Sequence, residues 1–251
     1  MIMKLNINDR AALAIKNGTK RVEIRANKDN GNHDYSKLNK DDIIEFKSDA
    51  VGKFYVKVEE VNYYNSLDEL FTLEGTRYTT SSTNDKEEAI KNVSKLNGYE
   101  EAIRNNGVYA IHIKYLYSED NIWDELYEKA KMIRNSRNIS GLISAGGVGT
   151  AILTTNHNIY LGVCIDTACT LGICAERNAI SNMITNGENE IEKLVCVDSS
   201  GDVCLPCGAC REYMMQLSKN SKRIEILKDI TTKDIVVLED LMPDWWGYDR
   251  V

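Results

Sequence analysis

Apolar and polar positions follow two different rhythms along this 251-residue chain. In the first half the segments are short and of mixed type. Asp9 to Lys16 reads as a brief helix that ends at Gly18, where a left-handed C-cap is expected. RVEIRA (21–26), DIIEF (42–46) and GKFYVKVEEV (52–61) alternate as strands do, and VYAIHIKYLY (108–117) closes the series. A polar stretch, TRYTTSSTNDKEE, leads into a helix near Lys86 to Leu96, with Asn84 and Glu87 in capping-box spacing. Several strands with few helices predict a small β-barrel-like domain. SED (118–120) is a polar joint, and Ser118 is a candidate N-cap for a helix carrying Ile122, Leu126, Ala130 and Ile133 on one face.

The second half alternates strands with helices. GTAILTT and NIYLGVCI predict a hairpin around Asn156 and His157, followed by a helix from Cys174 or Ala175 to about Thr185. LVCVDSS (194–200) is a buried strand, a second helix starts near Cys207, and RIEILKDI and DIVVLEDL supply the last strands. These elements predict a layered α/β domain over residues 118–251, after a first domain over 1–117. The whole is α/β in content and α+β in arrangement. No internal repeat is evident.

Charge sharpens this division. Residues 1–117 hold 18 basic and 18 acidic side chains, and the remainder holds 13 and 20, so the net charge of −7 belongs to the second half. An acidic domain repels a phosphate backbone, and a small neutral molecule suits it better. No apolar run approaches the ~18 residues of a membrane helix. MIMKLNINDR lacks an apolar signal core, which predicts a cytoplasmic protein. The seven cysteines (164, 169, 174, 196, 204, 207 and 210) all follow residue 160 and are odd in number. In a reducing compartment, close cysteine spacing signals a metal site or a redox pair rather than a disulfide framework.

CAERNAI (174–180) and PCGACRE (206–212) each open a helix. Cys174, Cys207 and Cys210 would therefore meet at two helix N-termini, where positive helix ends stabilise thiolates. Three thiolates leave one position of a tetrahedral zinc open for chemistry, and Glu176 stands beside that position as a proton shuttle. Arg177 and Arg211 could offset the thiolate charge. Two other readings stay open: a structural zinc with Cys204, Cys164 or Cys169 as fourth ligand, and a redox Cys-x-x-Cys pair. Cys196 sits in a strand and reads as core. Trp245 and Trp246 read as packing, with a substrate wall as the alternative.

Cys-Ala-Glu-Arg followed by Pro-Cys-Gly-Ala-Cys-Arg resembles the cytidine deaminase family of zinc enzymes, and the resemblance runs from about Trp123 to Trp246. It includes the WDELYEKAK helix, the VGTAIL and GVCID strands and the LMP turn. The resemblance implies a layered α/β/α fold, zinc (Zn2+) on Cys174, Cys207 and Cys210, Glu176 as the catalytic acid–base, and release of ammonia from a cytidine-type nucleoside. It also implies a homo-oligomer, dimer or tetramer. The strand before the first cysteine usually carries an Asn and a Glu for the ribose, and the matching positions here are Cys164 and Asp166. An aromatic residue of the family falls at Gly146, which implies a wider pocket. Blasticidin S deaminases share the zinc motif and vary in this region, but generally lack an Arg at the position of Arg177.

The first half resembles the ASCH domain, a small barrel related to the RNA-binding PUA fold, through IKNGTKRVEIR (15–25), LNKDDIIEF (38–46) and NNGVYAIHI. The family's turn and cleft strand place Lys20, Glu23 and Arg25 at its candidate site. Glu23 and Arg25 alternate with Val22 and Ile24, so they share the face opposite the core, either solvated or lining a cleft. Some ASCH proteins hydrolyse N4-acetylcytidine with a Lys and a Thr, and Lys20 matches the Lys while Glu23 replaces the Thr. The resemblance thus implies a nucleoside- or RNA-base-recognising module, with a bifunctional N4-acylcytidine hydrolase and deaminase, or a binding protein with a structural zinc, as alternatives.

Overall fold

The computed structural model describes residues 1–29 and 31–251. The chain forms two compact units, Met1–Asp120 and Asn121–Val251. In the first, β1 (Ile2–Asn6), α1 (Asp9–Lys16), β2 (Val22–Arg25), β3 (Ile43–Ser48) and β4 (Gly52–Tyr64) precede three helices. These are α2 (Leu67–Glu74), α3 (Lys86–Ser94) and α4 (Tyr99–Asn106), and β5 (Val108–Ser118) closes the unit. The five strands form one sheet in the order β1-β3-β4-β5-β2, with β1 and β3 parallel and the other pairs antiparallel. The outermost strands approach each other: Arg25 Nη2 on β2 donates to the Asn6 carbonyl on β1 at 3.1 Å.

Three helices stand where the sequence pattern predicts one. Short amphipathic segments such as LDELFTLE and YEEAIRNN bury only two or three side chains each, too few to show a clear period. α3 is capped by Asp85, whose carboxylate accepts from the Glu88 N–H at 2.8 Å, one residue beyond the expected Asn84–Glu87 box. Ser118 is the buried end of β5 rather than an N-cap, and the next helix opens at Asn121. The helices matter for β2. They cover its Val22 and Ile24 side with Leu70, Phe71, Ala89 and Ile103, while the other side of the sheet packs Phe46, Phe54, Val58 and Ile111. Both faces of the sheet are therefore buried.

The second unit begins with α5 (Ile122–Ile133) and continues with β6 (Arg137–Asn138), β7 (Ile143–Thr154), β8 (Ile159–Thr167) and α6 (Ala175–Thr185). β9 (Ile191–Val197), α7 (Gly208–Met215), β10 (Glu225–Asp229) and β11 (Asp234–Val237) complete it. The sheet runs β11-β10-β9-β7-β6, with β8 also paired to β7 through the expected hairpin, and His157 takes a positive φ of 63° at the turn. Ile152, Leu194, Cys196 and Ile226 cluster with Ala179, Ile180, Met183 and Met214 of α6 and α7. On the opposite side, β7 approaches α5 so closely that a Cβ at Gly149 would lie 2.3 Å from the Ala130 carbonyl. The unit is a helix–sheet–helix sandwich. No helix of the described residues is long and apolar enough to cross a membrane.

The approach of β8 to α6 is as tight. A Cβ on Gly162 would fall 2.3 Å from Ala179 N and 2.5 Å from the Ala175 carbonyl, both backbone atoms that do not swing aside. Gly162→Ala is expected to destabilise this unit by about 1–3 kcal/mol or more, and to displace the start of α6. Urea unfolding followed by tryptophan fluorescence checks this directly, because Trp123, Trp245 and Trp246 all lie in the second unit.

Candidate active site

Two short pairings carry the cysteines to one end of the second sheet. Ile165 and Ile173 exchange backbone hydrogen bonds of 2.9 Å, which folds the loop after β8 back along its strand and delivers Cys174 to the start of α6. Val197 bridges Val203, and Cys204 N–H donates to the Cys196 carbonyl at 3.0 Å, so PCGAC opens α7 beside the end of β9. Cys174 and Cys207 occupy the two N-cap positions in extended backbone (ψ 154° and 166°), and neither side chain caps its own helix. Both thiols are thus free to face the gap between the helices. Cys210, one turn into α7, is fully buried.

The three sulfurs lie within 4.8 Å of one another, with Cys174 Sγ 3.8 Å from Cys207 Sγ. Sulfurs sharing a tetrahedral zinc at about 2.3 Å stand about 3.8 Å apart, so the donor set fits that ion. Burial opposes the Cys207 thiolate, but hydrogen bonds from Cys210 and Cys174 outweigh it and hold the Cys207 pKa below its ordinary value. Burial and the nearby Glu176 push the Cys210 thiol up. Three thiolates beside a carboxylate are unfavourable unless a cation compensates them.

Glu176 stands in the first turn of α6, only 6% exposed, and its carboxylate has no hydrogen-bond or ion-pair partner among the described residues. Its oxygens are not sealed in the core but open to the neighbouring cavity, where water or a ligand can meet them. Glu176 lines a cavity of about 620 Å³ together with Cys174 and Cys207. Arg177 Nη2 lies 3.8 Å from Cys174 Sγ, close enough to lessen the thiolate charge. Arg211 turns its Nε to the Pro206 carbonyl at 2.7 Å and bridges the loop to its own helix.

Cys164 and Asp166 line the same cavity. Cys164 Sγ accepts the Val148 N–H at 3.2 Å and lies 3.8 Å from Asp166 Oδ2. Gly146 does not line it; Gly147 and Val148 do. Its place is set by the backbone: φ is +86°, and a Cβ would lie 2.1 Å from the Asn135 carbonyl. Trp245 and Trp246 are also absent from the lining, and both indole N–H groups donate to Glu212 of α7, at 2.7 and 3.0 Å. Asp198, which the sequence reading passed over, lines the cavity. Its signal is positional: a carboxylate directly after a buried strand, at the carboxyl end where α/β sheets hold ligands.

In the first unit, Lys20, Glu23 and Arg25 form one buried chain of charge. Glu23 lies 3.3 Å from Lys20 Nζ and 2.8 Å from Arg25 Nη2, and Lys20 also donates to the Val22 and Thr79 carbonyls at 2.6 and 2.5 Å. Lys20 and Glu23 are each 6% exposed, so the solvated-face alternative fails because apolar clusters lie on both sides of the sheet that holds β2. Burial lowers the Lys20 pKa despite the attraction of Glu23. Lys20 and Glu23 border a cavity of about 130 Å³ that Thr79 also lines, and Arg25 borders another of about 260 Å³ with Tyr35 and Tyr99.

Comparison with known proteins gives the same division. The family model for the cytidine and deoxycytidylate deaminase zinc-binding region matches residues 124–226, and that for the ASCH domain matches residues 5–116. A cytidine deaminase of Mycobacterium tuberculosis is 30% identical over 103 residues, which cover 41% of this chain and 74% of the relative. One from Mycoplasma pneumoniae is 29% identical over 103 residues, covering 39% and 77%. Among solved structures, the cytidine deaminase of Mycobacterium tuberculosis is 26% identical with a TM-score of 0.42, covering 50% of this chain and 97% of that one. The chain belongs to the cytidine deaminase family through its second unit and carries an ASCH domain in its first.

Proposed function

We propose that the second unit is a zinc-dependent hydrolase that replaces the exocyclic amine of a cytidine-type nucleoside, or a related cytosine derivative, with oxygen and releases ammonia. The observation that carries this reading is Glu176, a nearly buried carboxylate without a partner in the cavity that two of the three clustered cysteines line. Cys174, Cys207 and Cys210 would hold the zinc, which when bound supplies the Lewis acidity that makes water a nucleophile near neutral pH. Glu176 takes the proton from the attacking water at its carboxylate oxygen. It passes that proton to the ring nitrogen and then carries the proton of the added hydroxyl to the amine, so that the water oxygen stays on the ring as a carbonyl and the amine leaves as ammonia. Arg177 lowers the negative charge at Cys174.

A purely structural zinc needs a fourth protein ligand, and the three cysteines gather no fourth Cys, His, Asp or Glu among the described residues. Cys204 lies outside the group of three sulfurs that come within 4.8 Å of one another. For the first unit, the buried Lys20–Glu23–Arg25 chain beside two cavities favours recognition of a nucleoside or RNA base. The test of the main reading is ammonia release from a panel of cytidine, deoxycytidine and cytosine. Turnover of at least one is expected, and a zinc-replete protein that turns over none of them sinks the assignment.

A further inference from the structure

The part of the active-site cavity that follows β9 is a single tight turn. Asp198 and Ser199 line the cavity, and the chain then reverses through Ser200, Gly201 and Asp202 on its way to Cys204 and Cys207. The turn is braced internally. Asp198 Oδ1 accepts the Ser200 and Asp202 N–H groups at 2.8 and 3.2 Å, and the Asp198 carbonyl accepts the Gly201 N–H at 3.1 Å. Beyond the turn, the Val197–Val203 bridge and the Cys204 N–H fix the chain to β9, so Cys207 is held independently of it.

From outside, the turn is gripped by α5. The Tyr127 hydroxyl donates to the Gly201 carbonyl at 2.8 Å, and Arg134 Nη1 donates to the Asp198 carbonyl. Arg134 Nη2 lies 3.6 Å from where a Gly201 side chain would begin. Tyr127 and Arg134, the C-cap of α5, stand about two helical turns apart and therefore on one side of the helix. Ala130, between them, abuts Gly149 of β7 and fixes α5 against the sheet. Arg134 makes no ion pair among the described residues, so its charge is directed at a backbone carbonyl, and a charge-assisted hydrogen bond is stronger than a neutral one. Neither Tyr127 nor Arg134 lines the cavity.

We propose that Tyr127 and Arg134 are positioning residues, which hold the 198–202 turn in place as one wall of the substrate cavity without touching the substrate. The proposal rests on the deaminase reading of that cavity. Glu176 rises from α6, and the three cysteines are set by α6, α7 and β9. A slack turn therefore changes how the substrate is held and leaves the proton carrier and the metal donors where they are. A misplaced wall is costly even when the reacting groups are untouched.

The test compares Arg134→Met, Arg134→Lys and Tyr127→Phe with the wild type on the zinc-replete full chain. Ammonia release from cytidine gives kcat and KM separately, and hydrogen–deuterium exchange reports the amides of residues 199–202. Arg134→Met is expected to raise KM about tenfold or more with kcat within about threefold, and to speed exchange in the turn. Arg134→Lys, which keeps a charged donor, restores both. Tyr127→Phe moves both in the same direction, and the double variant falls short of the product of the two single effects, because they act through one turn. A KM unchanged in both Arg134→Met and Tyr127→Phe, a lower kcat at unchanged KM, or a Lys variant as impaired as the Met variant overturns the proposal. If the wild type releases no ammonia from any cytosine derivative, the deaminase reading fails and exchange decides this one. Faster exchange confined to 199–202 in Arg134→Met and reversed in Arg134→Lys supports it, and exchange that is unchanged, or faster throughout the second unit, overturns it.

Discussion

Glu176→Gln is expected to lower the rate of ammonia release by about 10²–10⁴-fold, the usual worth of general acid–base catalysis, while leaving fold and metal content intact. The substitution is close to isosteric and sits where the side chain is almost fully buried. No hydrogen bond of the described structure depends on the carboxylate, so an amide there breaks no fold contact. What it loses is the capacity to carry a proton between water, ring nitrogen and amine. Metal analysis and thermal unfolding on the same preparation separate this loss from misfolding. A rate within tenfold of wild type, at equal metal content, removes Glu176 from the proton transfers.

The second large effect concerns the first unit and is one of stability. Glu23→Gln leaves Lys20 and Arg25 buried without their shared counter-ion, and removing one partner of a buried ion pair typically costs about 3–5 kcal/mol. The loss should be confined to the first unit. Tryptophan fluorescence reports the second unit alone, so far-UV circular dichroism in urea is expected to show an earlier transition that the fluorescence does not share. Coincident, unshifted transitions would mean that the Lys20–Glu23–Arg25 chain contributes nothing to the fold.

Legibility in the sequence followed the strength of local signals. The 174–180 and 206–212 segments announce both their helix starts and their chemistry, because Cys, Ala, Glu and the Pro-Cys-Gly turn act within a few residues of one another. The long strands and the hairpin at Asn156 and His157 were legible from alternation and turn residues. The helices α2 and α4 were not: eight residues with two or three buried positions give too little period, and tertiary packing decides them. Charge hid its own burial on β2, since alternation of Val22, Glu23, Ile24 and Arg25 reads equally as a wet face or a cleft wall. What covers that face is remote in sequence: Arg25 reaches the Asn6 carbonyl of β1 and lies over the Phe46 ring of β3. The backbone constraint at Gly146 was not legible either, because the Asn135 carbonyl that excludes a side chain there belongs to the segment before β6. Asp198 carried a positional cue, the carboxyl end of a buried strand, without any motif to mark it.

The claim on which the rest depends is that Cys174, Cys207 and Cys210 hold a catalytic zinc beside Glu176. It is tested most directly by stripping the metal with a chelator, reloading zinc, and following metal content and ammonia release from cytidine together in the wild type and Cys210→Ser. The account predicts one zinc per chain, release lost on stripping and regained on reloading, and neither zinc nor release in the variant. Ammonia release that persists in metal-free protein, or full zinc retention in Cys210→Ser, would contradict it.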